Sequence, residues 1–81
     1  MNMTLHEGAP GTQYTVRGLQ LPIRLERRLE ALGLMEGSLI TVLRKKKRGA
    51  MIVTVRGTRF AMGRDISEHI SVSERGASHG A

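Results

Sequence analysis

The segment Met51-Ile-Val-Thr-Val-Arg-Gly-Thr-Arg-Phe-Ala-Met62 decides the fold of this chain. Every second residue is apolar before the Gly57-Thr58 turn, from Met51 to Val55, and the alternation resumes after it at Phe60 and Met62. This pattern is typical of two antiparallel strands that bury one face and are joined by a tight turn. Working outward from this hairpin, the sequence predicts five short strands, which are Gln13–Leu19, Leu39–Arg44, Met51–Arg56, Arg59–Met62 and Ile70–Val72.

One amphipathic helix is predicted between the first two strands, over about Pro22–Leu32. Leu25, Leu29 and Leu32 recur at spacings of four and three, which places them on one helix face. Gly33 suits the end of the helix, because glycine readily takes the left-handed conformation needed there. We expect this leucine face to cover the core, and a role as a partner-binding surface is the alternative.

The length of the chain allows a single domain. Its 81 residues, 40% of them hydrophobic, can close one modest core. An open sheet could not bury both faces at this size, so we expect a mostly β barrel with the helix as its cover. A short helical turn is expected at Arg64–His69. The predicted division is a flexible lead-in over residues 1–12, a barrel domain over 13–73 and a disordered tail over 74–81.

The residue inventory argues against catalysis and against a secreted or membrane-spanning protein. Cysteine is absent, which excludes disulfides and cysteine nucleophiles. No apolar run follows a basic start, and none approaches the length of a bilayer span, so a cytoplasmic location is expected. The glycines fall singly at turns, which gives no phosphate-binding loop, and we expect no cofactor. The three histidines lack the order of a catalytic triad, and they are His6, His69 and His79.

A physiological metal site is not expected either. Glu68 and His69 are adjacent, whereas metal ligands on a helix are usually three or four residues apart. Met35, Met51 and Met62 fit better as core filler than as ligands. Adventitious binding of a divalent ion by a surface histidine is the alternative that the sequence leaves open.

The basic charge is concentrated in one loop. The formal net charge is +6, and five of the 13 basic residues are Arg44, Lys45, Lys46, Lys47 and Arg48. The rest of the chain has eight basic and seven acidic residues, a balance of +1. The loop has three interpretations, which are protection of a strand edge, docking on an acidic protein or an anionic membrane surface, and binding of nucleic acid. Only Tyr14 and Phe60 are aromatic, which disfavours binding of single-stranded nucleic acid.

Two blocks of the sequence resemble a known family. Arg28-Leu-Glu-Ala-Leu-Gly-Leu-Met-Glu-Gly-Ser38 is similar to the helix-end signature of FeoA proteins. Val53-Thr-Val-Arg-Gly-Thr-Arg-Phe-Ala-Met-Gly63, followed by Ile66-Ser67 and Ile70-Ser-Val72, resembles their last three strands. The resemblance extends from Gln13 to Val72. Glu36 stands where the family commonly has proline, and the basic loop is more basic than usual.

The resemblance implies a small five-stranded SH3-like barrel, a module that also occurs at the carboxy terminus of iron-dependent repressors. It further implies a non-catalytic adaptor for FeoB, a ferrous iron permease with a GTP-binding domain, that modulates iron(II) uptake and is recruited to the inner face of the membrane. The runner-up is a small nucleic-acid-binding barrel that uses Arg44–Arg48. The candidate partner-binding residues are Arg44, Lys45, Lys46, Lys47, Arg48, Leu29, Leu34 and Met35.

Overall fold

The protein is described from a computed structural model, which covers residues 2–74. Within that range the chain forms six strands, two α-helices and two 3₁₀ turns. The strands are β1 (Asn2–Thr4), β2 (Gln13–Leu19), β3 (Leu39–Lys45), β4 (Met51–Val55), β5 (Thr58–Met62) and β6 (Ile70–Glu74). The helices are α1 (Ile23–Ala31) and α2 (Arg64–Ser67), and the 3₁₀ turns are Leu5–Glu7 and Lys47–Gly49. All five predicted strands and the predicted helix are therefore present, with small shifts at their ends.

The six strands form one antiparallel sheet in the order β1-β6-β2-β3-β4-β5. Its register is interrupted twice, between Val16 and Gly18 opposite β6 and between Val42 and Arg44 opposite β4. Such interruptions bend a strand and increase its twist. Buried residues of β2, β3, β4, β5 and β6 belong to a single cluster, so the sheet curls around one core. The cluster consists of Leu5, Tyr14, Val16, Leu29, Leu34, Ile40, Val42, Met51, Val53, Val55, Met62, Ile70 and Val72.

The turn of the central hairpin lies one residue earlier than predicted, at Arg56-Gly57 instead of Gly57-Thr58. Arg56 and Gly57 both have positive φ, at 52° and 82°. A two-residue connection with positive φ at both positions matches the right-handed twist of the flanking strands. The side chain of Arg56 then extends to the end of α1, where its Cδ lies 2.9 Å from the position that a Cβ on Gly33 would take. The hairpin and the helix end are therefore in direct contact.

The predicted leucine face of α1 is only partly buried. Leu29 is buried and Leu25 packs against the core, but Leu32 is 42% exposed. Leu34, just beyond Gly33, is fully buried, and its N–H donates to the Leu29 carbonyl oxygen at 2.9 Å. The expectation that Leu32 belongs to the core is wrong, because the chain reverses at Gly33 and buries Leu34 instead.

The prediction of a loosely held lead-in is wrong for the segment Asn2–Glu7. β1 pairs with β6 along Ser71–Ser73, and Leu5 is completely buried in the core. The backbone N–H of Thr4 donates to the Glu7 carboxylate at 2.8 Å, which holds the 3₁₀ turn. The reason is that Leu5 enters the core and Met3 packs against it, and two apolar residues are too few to form a periodic pattern in the sequence.

The chain after the lead-in is held against the core by close contacts. Gly8 is buried, and an added Cβ would lie 3.0 Å from the Tyr14 ring and 3.1 Å from Val42. The N–H of Ala9 donates to the Tyr14 hydroxyl at 2.8 Å. Of the predicted tail, Glu74 ends β6, and residues 75–81 lie outside the described residues. Within residues 2–74, neither helix is long and apolar enough to span a bilayer.

Candidate partner-binding surface

The basic hairpin, defined as Arg44–Arg48, projects all five of its side chains into solvent. Arg44 and Lys45 end β3, and the chain then turns back into β4 through the second 3₁₀ turn. The turn is closed by the N–H of Lys46, which donates to the Ala50 carbonyl oxygen at 2.8 Å. It reverses direction at Arg48, which has a φ of 73°. Across residues 2–74, the ion pair that the structure contains joins Arg64 to Glu68, so no ion pair neutralises the basic hairpin.

A further arginine lies beside the tip of this hairpin. A Cβ added to Gly49 would lie 3.0 Å from the Cβ of Arg64, the first residue of α2. Arg64 makes an exposed ion pair with Glu68, with Nε and Oε2 3.2 Å apart. An exposed pair of this kind contributes little to stability and leaves Arg64 accessible. The basic surface therefore extends from the hairpin to the start of α2.

The three apolar candidate residues are not equivalent. Leu29 and Leu34 are 6% and 0% exposed, so they are core residues that a partner cannot reach directly. Both were candidates because leucines near a helix end can serve either role, and the reversal at Gly33 decides in favour of burial. Met35 is 39% exposed. Of the three residues, Met35 alone can contact a partner, and the expectation that it fills the core is wrong.

The turn that presents Met35 is held by one hydroxyl group. The Ser38 hydroxyl donates to the Gly33 carbonyl oxygen at 2.8 Å and accepts from the Met35 N–H at 3.1 Å. The N–H of Ser38 also donates to the Met35 carbonyl oxygen at 2.9 Å. These bonds close the loop between α1 and β3. They leave the methionine side chain outside the core, at the edge of a groove.

That groove, which we name the acidic groove, lies between α1 and the end of β2. Its volume is about 430 Å³, and it is lined by Gly18, Leu19, Glu26, Glu30, Met35 and Glu36. The sequence analysis named Leu34 and Met35 as candidate partner-binding residues. The structure keeps Met35, buries Leu34 and adds three carboxylates. The spacing of Glu26 and Glu30, which puts both on one helix face, was the signal that could have revealed it.

The metal-binding chemistry of the described residues is sparse. Residues 2–74 contain no group of three or more His, Asp or Glu side chains arranged to hold a metal ion. His69 lies with its Nδ1 2.8 Å from the carbonyl oxygen of Asp65, which can only accept. His6 is half-buried, and its Nδ1 has no hydrogen-bond partner among the described residues. His79 lies outside the described residues. The expectation of no resident metal stays a prediction.

Solved structures of other proteins share this fold. The FeoA protein from Chlorobium tepidum is 31% identical, with a TM-score of 0.84 over 90% of this chain and 70% of that one. A zinc complex of FeoA from Stenotrophomonas maltophilia is 30% identical, with a TM-score of 0.75 over 88% of this chain and 89% of that one. That protein is described as a prokaryotic SH3 domain protein with a suggested role as a ferrous iron transport activating factor.

A likeness to repressors concerns the fold alone. A manganese-dependent transcriptional repressor is 19% identical, with a TM-score of 0.80 over 90% of this chain and 41% of that one. Among curated protein sequences, no significant match is found. The curled antiparallel sheet with its covering helix therefore defines a small SH3-like barrel domain, as the sequence predicted.

A sequence model of the FeoA domain matches residues 3–74, almost the whole described chain. The chain belongs to the FeoA family, which is linked to ferrous iron transport. The matched region begins at residue 3, in agreement with the strand and the buried leucine that the structure places before Gln13. The resemblance found in the sequence is thereby confirmed.

Proposed function

We propose that the protein is a non-catalytic cytoplasmic adaptor that binds the cytoplasmic region of a FeoB-like ferrous iron permease and modulates iron(II) uptake. The observation that carries this proposal is the match of residues 3–74 to the FeoA domain. The matched domain accounts for nearly all of the described chain. We therefore assign the partner-binding residues to the surface of this domain. Binding, rather than chemistry, is what a small barrel with so few convergent polar groups can offer.

The basic hairpin is the part of the surface that we assign to this partner first. Its cations are exposed and carry no ion pair within the described chain, so they are available to an acidic protein surface. Complementary charge speeds encounter and orients the complex, and a partner anchored in the inner membrane adds anionic lipid nearby. Met35, at the edge of the acidic groove, supplies an apolar contact that charge alone does not provide.

The burial of the aromatic residues favours a protein partner over nucleic acid. Tyr14 is 3% exposed and its hydroxyl accepts a bond from the Ala9 N–H, while Phe60 packs against the core. The chain has no tryptophan. Small barrels that bind single strands rely on several exposed aromatic rings for stacking. The basic hairpin has the positive charge that would attract nucleic acid, but it lacks aromatic rings on which bases could stack.

The test is a binding measurement with the purified cytoplasmic region of the permease. We expect association with the natural chain, and about a tenfold loss with the double variant Lys46→Glu, Lys47→Glu, equivalent to about 1.4 kcal/mol. Arg24→Glu with Arg27→Glu is the matched control, because it makes the same charge change at exposed helix positions outside the proposed surface. We expect the control to bind about as well as the natural chain.

Two results would overturn the proposal. One is no association between the natural chain and the permease region. The other is tight, salt-sensitive retention of an oligonucleotide at about 0.15 M salt, which is the behaviour of a phosphate-binding protein. A loss of binding that is equal for both double variants would remove the basic hairpin from the proposal while leaving the partner in place.

A further inference from the structure

The outward face of the sheet carries an apolar surface that the basic hairpin and the acidic groove do not use. Leu39 and Leu43 stand at alternate positions of β3 with Thr41 between them, and they are 41% and 39% exposed. Their neighbours Ile40 and Val42 point to the core and are fully buried. The bulge after Val42 leaves Leu43 without a partner on β4. Two large apolar side chains are thus displayed on one strand.

The strand register places arginine beside these leucines. Thr41 pairs with Thr54, and Thr54 pairs with Arg59, so the three side chains form one row across β3, β4 and β5. Arg59 is exposed, and so is Arg56 in the turn of the central hairpin. Both arginines are free of ion pairs within the described chain. The row therefore ends in a cation at the sheet edge.

A groove lies at the Leu39 and Arg56 end of this face, and none of its lining residues within 2–74 is a carboxylate. Its volume is about 460 Å³, and its lining residues are Gln13, Gly37, Ser38, Leu39, Thr41, Thr54, Arg56 and Gly57. The sequence has no acidic residue between Glu36 and Asp65, the span that supplies β3, β4 and β5. The face therefore combines exposed leucines with uncompensated positive charge. We name it the sheet face, defined by Leu39, Leu43, Arg56 and Arg59.

We propose that the sheet face docks an acidic, amphipathic segment of a partner protein, with apolar side chains against Leu39 and Leu43 and carboxylates toward Arg56 and Arg59. Charge complementarity selects the sign of the segment, and the leucines supply the anchoring contacts. A second copy of this chain fits poorly, because its acidic surface is itself a groove. The inference does not depend on the permease being the partner.

The geometry also sets the spacing of the anchors. Leu39 and Leu43 are four residues apart on a strand, a separation of about 13 Å. A helix rises about 1.5 Å per residue, so a helical segment would present anchors about eight to nine residues apart. Its acidic residues would lie along one flank, toward the arginines. This sequence pattern can be sought in peptides selected for binding to the protein.

The experiment is a selection of random displayed peptides, about 12 residues long to span both anchors, on the immobilised full-length chain. We expect enrichment of acidic sequences with two large apolar residues at the spacing above. The enriched peptide is then synthesised and titrated into the labelled protein. Its NMR shifts should fall on the amides of Leu39, Thr41, Thr54 and Arg59, and replacing its two apolar residues by serine should abolish the shifts.

A matched pair of variants tests the site itself. Leu39→Ser with Arg59→Glu should weaken binding of the synthetic peptide by about tenfold or more. Ile23→Ser with Arg24→Glu makes the same chemical change on α1, where Ile23 is 61% exposed, and should bind within about twofold of the natural chain. Circular dichroism of both variants checks that each is folded.

The contrary outcomes are equally clear. The proposal fails if the selection enriches nothing, or if it enriches basic sequences or acidic ones without apolar anchors. It also fails if the shifts fall on the basic hairpin, or if the two double variants weaken binding equally. Failure of the permease to bind the chain would leave this result unchanged, which separates the sheet face from the proposed function.

Discussion

Two segments cover the barrel, and they do so in opposite ways. Helix α1 has nine residues, of which Leu29 is the buried one, at 6% exposure. The segment Asn2–Glu7 is shorter, yet it adds a strand to the sheet and inserts Leu5 completely into the core. The difference teaches that a periodic apolar face locates a helix or strand along the sequence. How deeply a side chain enters the core depends on the space that the other elements leave.

The largest effect on stability is expected at Leu5. Leu5→Ala should lower the free energy of unfolding by about 3 to 5 kcal/mol, because it leaves a cavity where the natural side chain is fully buried. Urea denaturation measures the loss. Hydrogen exchange of the β6 amides should also accelerate, since β1 pairs with Ser71–Ser73. A loss below about 1 kcal/mol would show that the segment is only loosely attached.

Leu29→Ala should cost less, about 2 to 3 kcal/mol, because the helix can shift over the vacated space at the barrel end. The same denaturation experiment applies, and Leu25→Ala serves as a comparison at a half-buried position of the same face. Equal losses at Leu5 and Leu29 would remove the distinction between the two covers. Unchanged stability would place Leu29 outside the core.

Gly33→Ala should cost about 1 to 2 kcal/mol, the usual penalty for an L residue in the left-handed region, since Gly33 has a φ of +97°. The Arg56 side chain lies in the way of the new methyl group, but its end is flexible and can turn aside. Gly57→Ala is the matched control, with a φ of +82° and open space around it. A much larger loss at Gly33 would show that the Arg56 contact is rigid and holds the helix in place.

Leu32→Ala should have the smallest effect, within about 0.5 kcal/mol, because the side chain is 42% exposed. Thermal unfolding of the variant beside that of Leu29→Ala would sharpen the contrast within one helix. A loss as large as that of Leu29→Ala would mean that the leucine face is buried as a whole, as its spacing alone predicted.

The order of predictability among these residues has a physical explanation. The hairpin from Met51 to Met62 was predicted to within one residue at its turn, because alternation and a turn containing glycine are both local properties. Leu5 was missed, since it and Met3 are the two core-contacting residues of a short segment and are too few to show a period. Its burial depends on the pairing of β1 with β6, at the far end of the chain.

The candidate site was predicted to a similar extent. The basic hairpin could be located from the sequence, because five consecutive cations cannot all be buried. The sheet face could not, because Leu39 and Arg59 meet on one surface only through the register of three strands. The acidic groove could be predicted only in part. Its two helix carboxylates share a face by spacing, while Glu36 and Met35 join them through the turn after α1.

The sequence by itself determined five of the six strands, helix α1, the family resemblance and the place of the charge, because each is recorded in neighbouring residues. Only the tertiary structure decided that Leu5 and Leu34 are core, that Leu32 and Met35 are surface, and that leucine and arginine share the sheet face. Burial and the composition of a surface depend on which distant segments meet. That is fixed when the sheet curls around a single core.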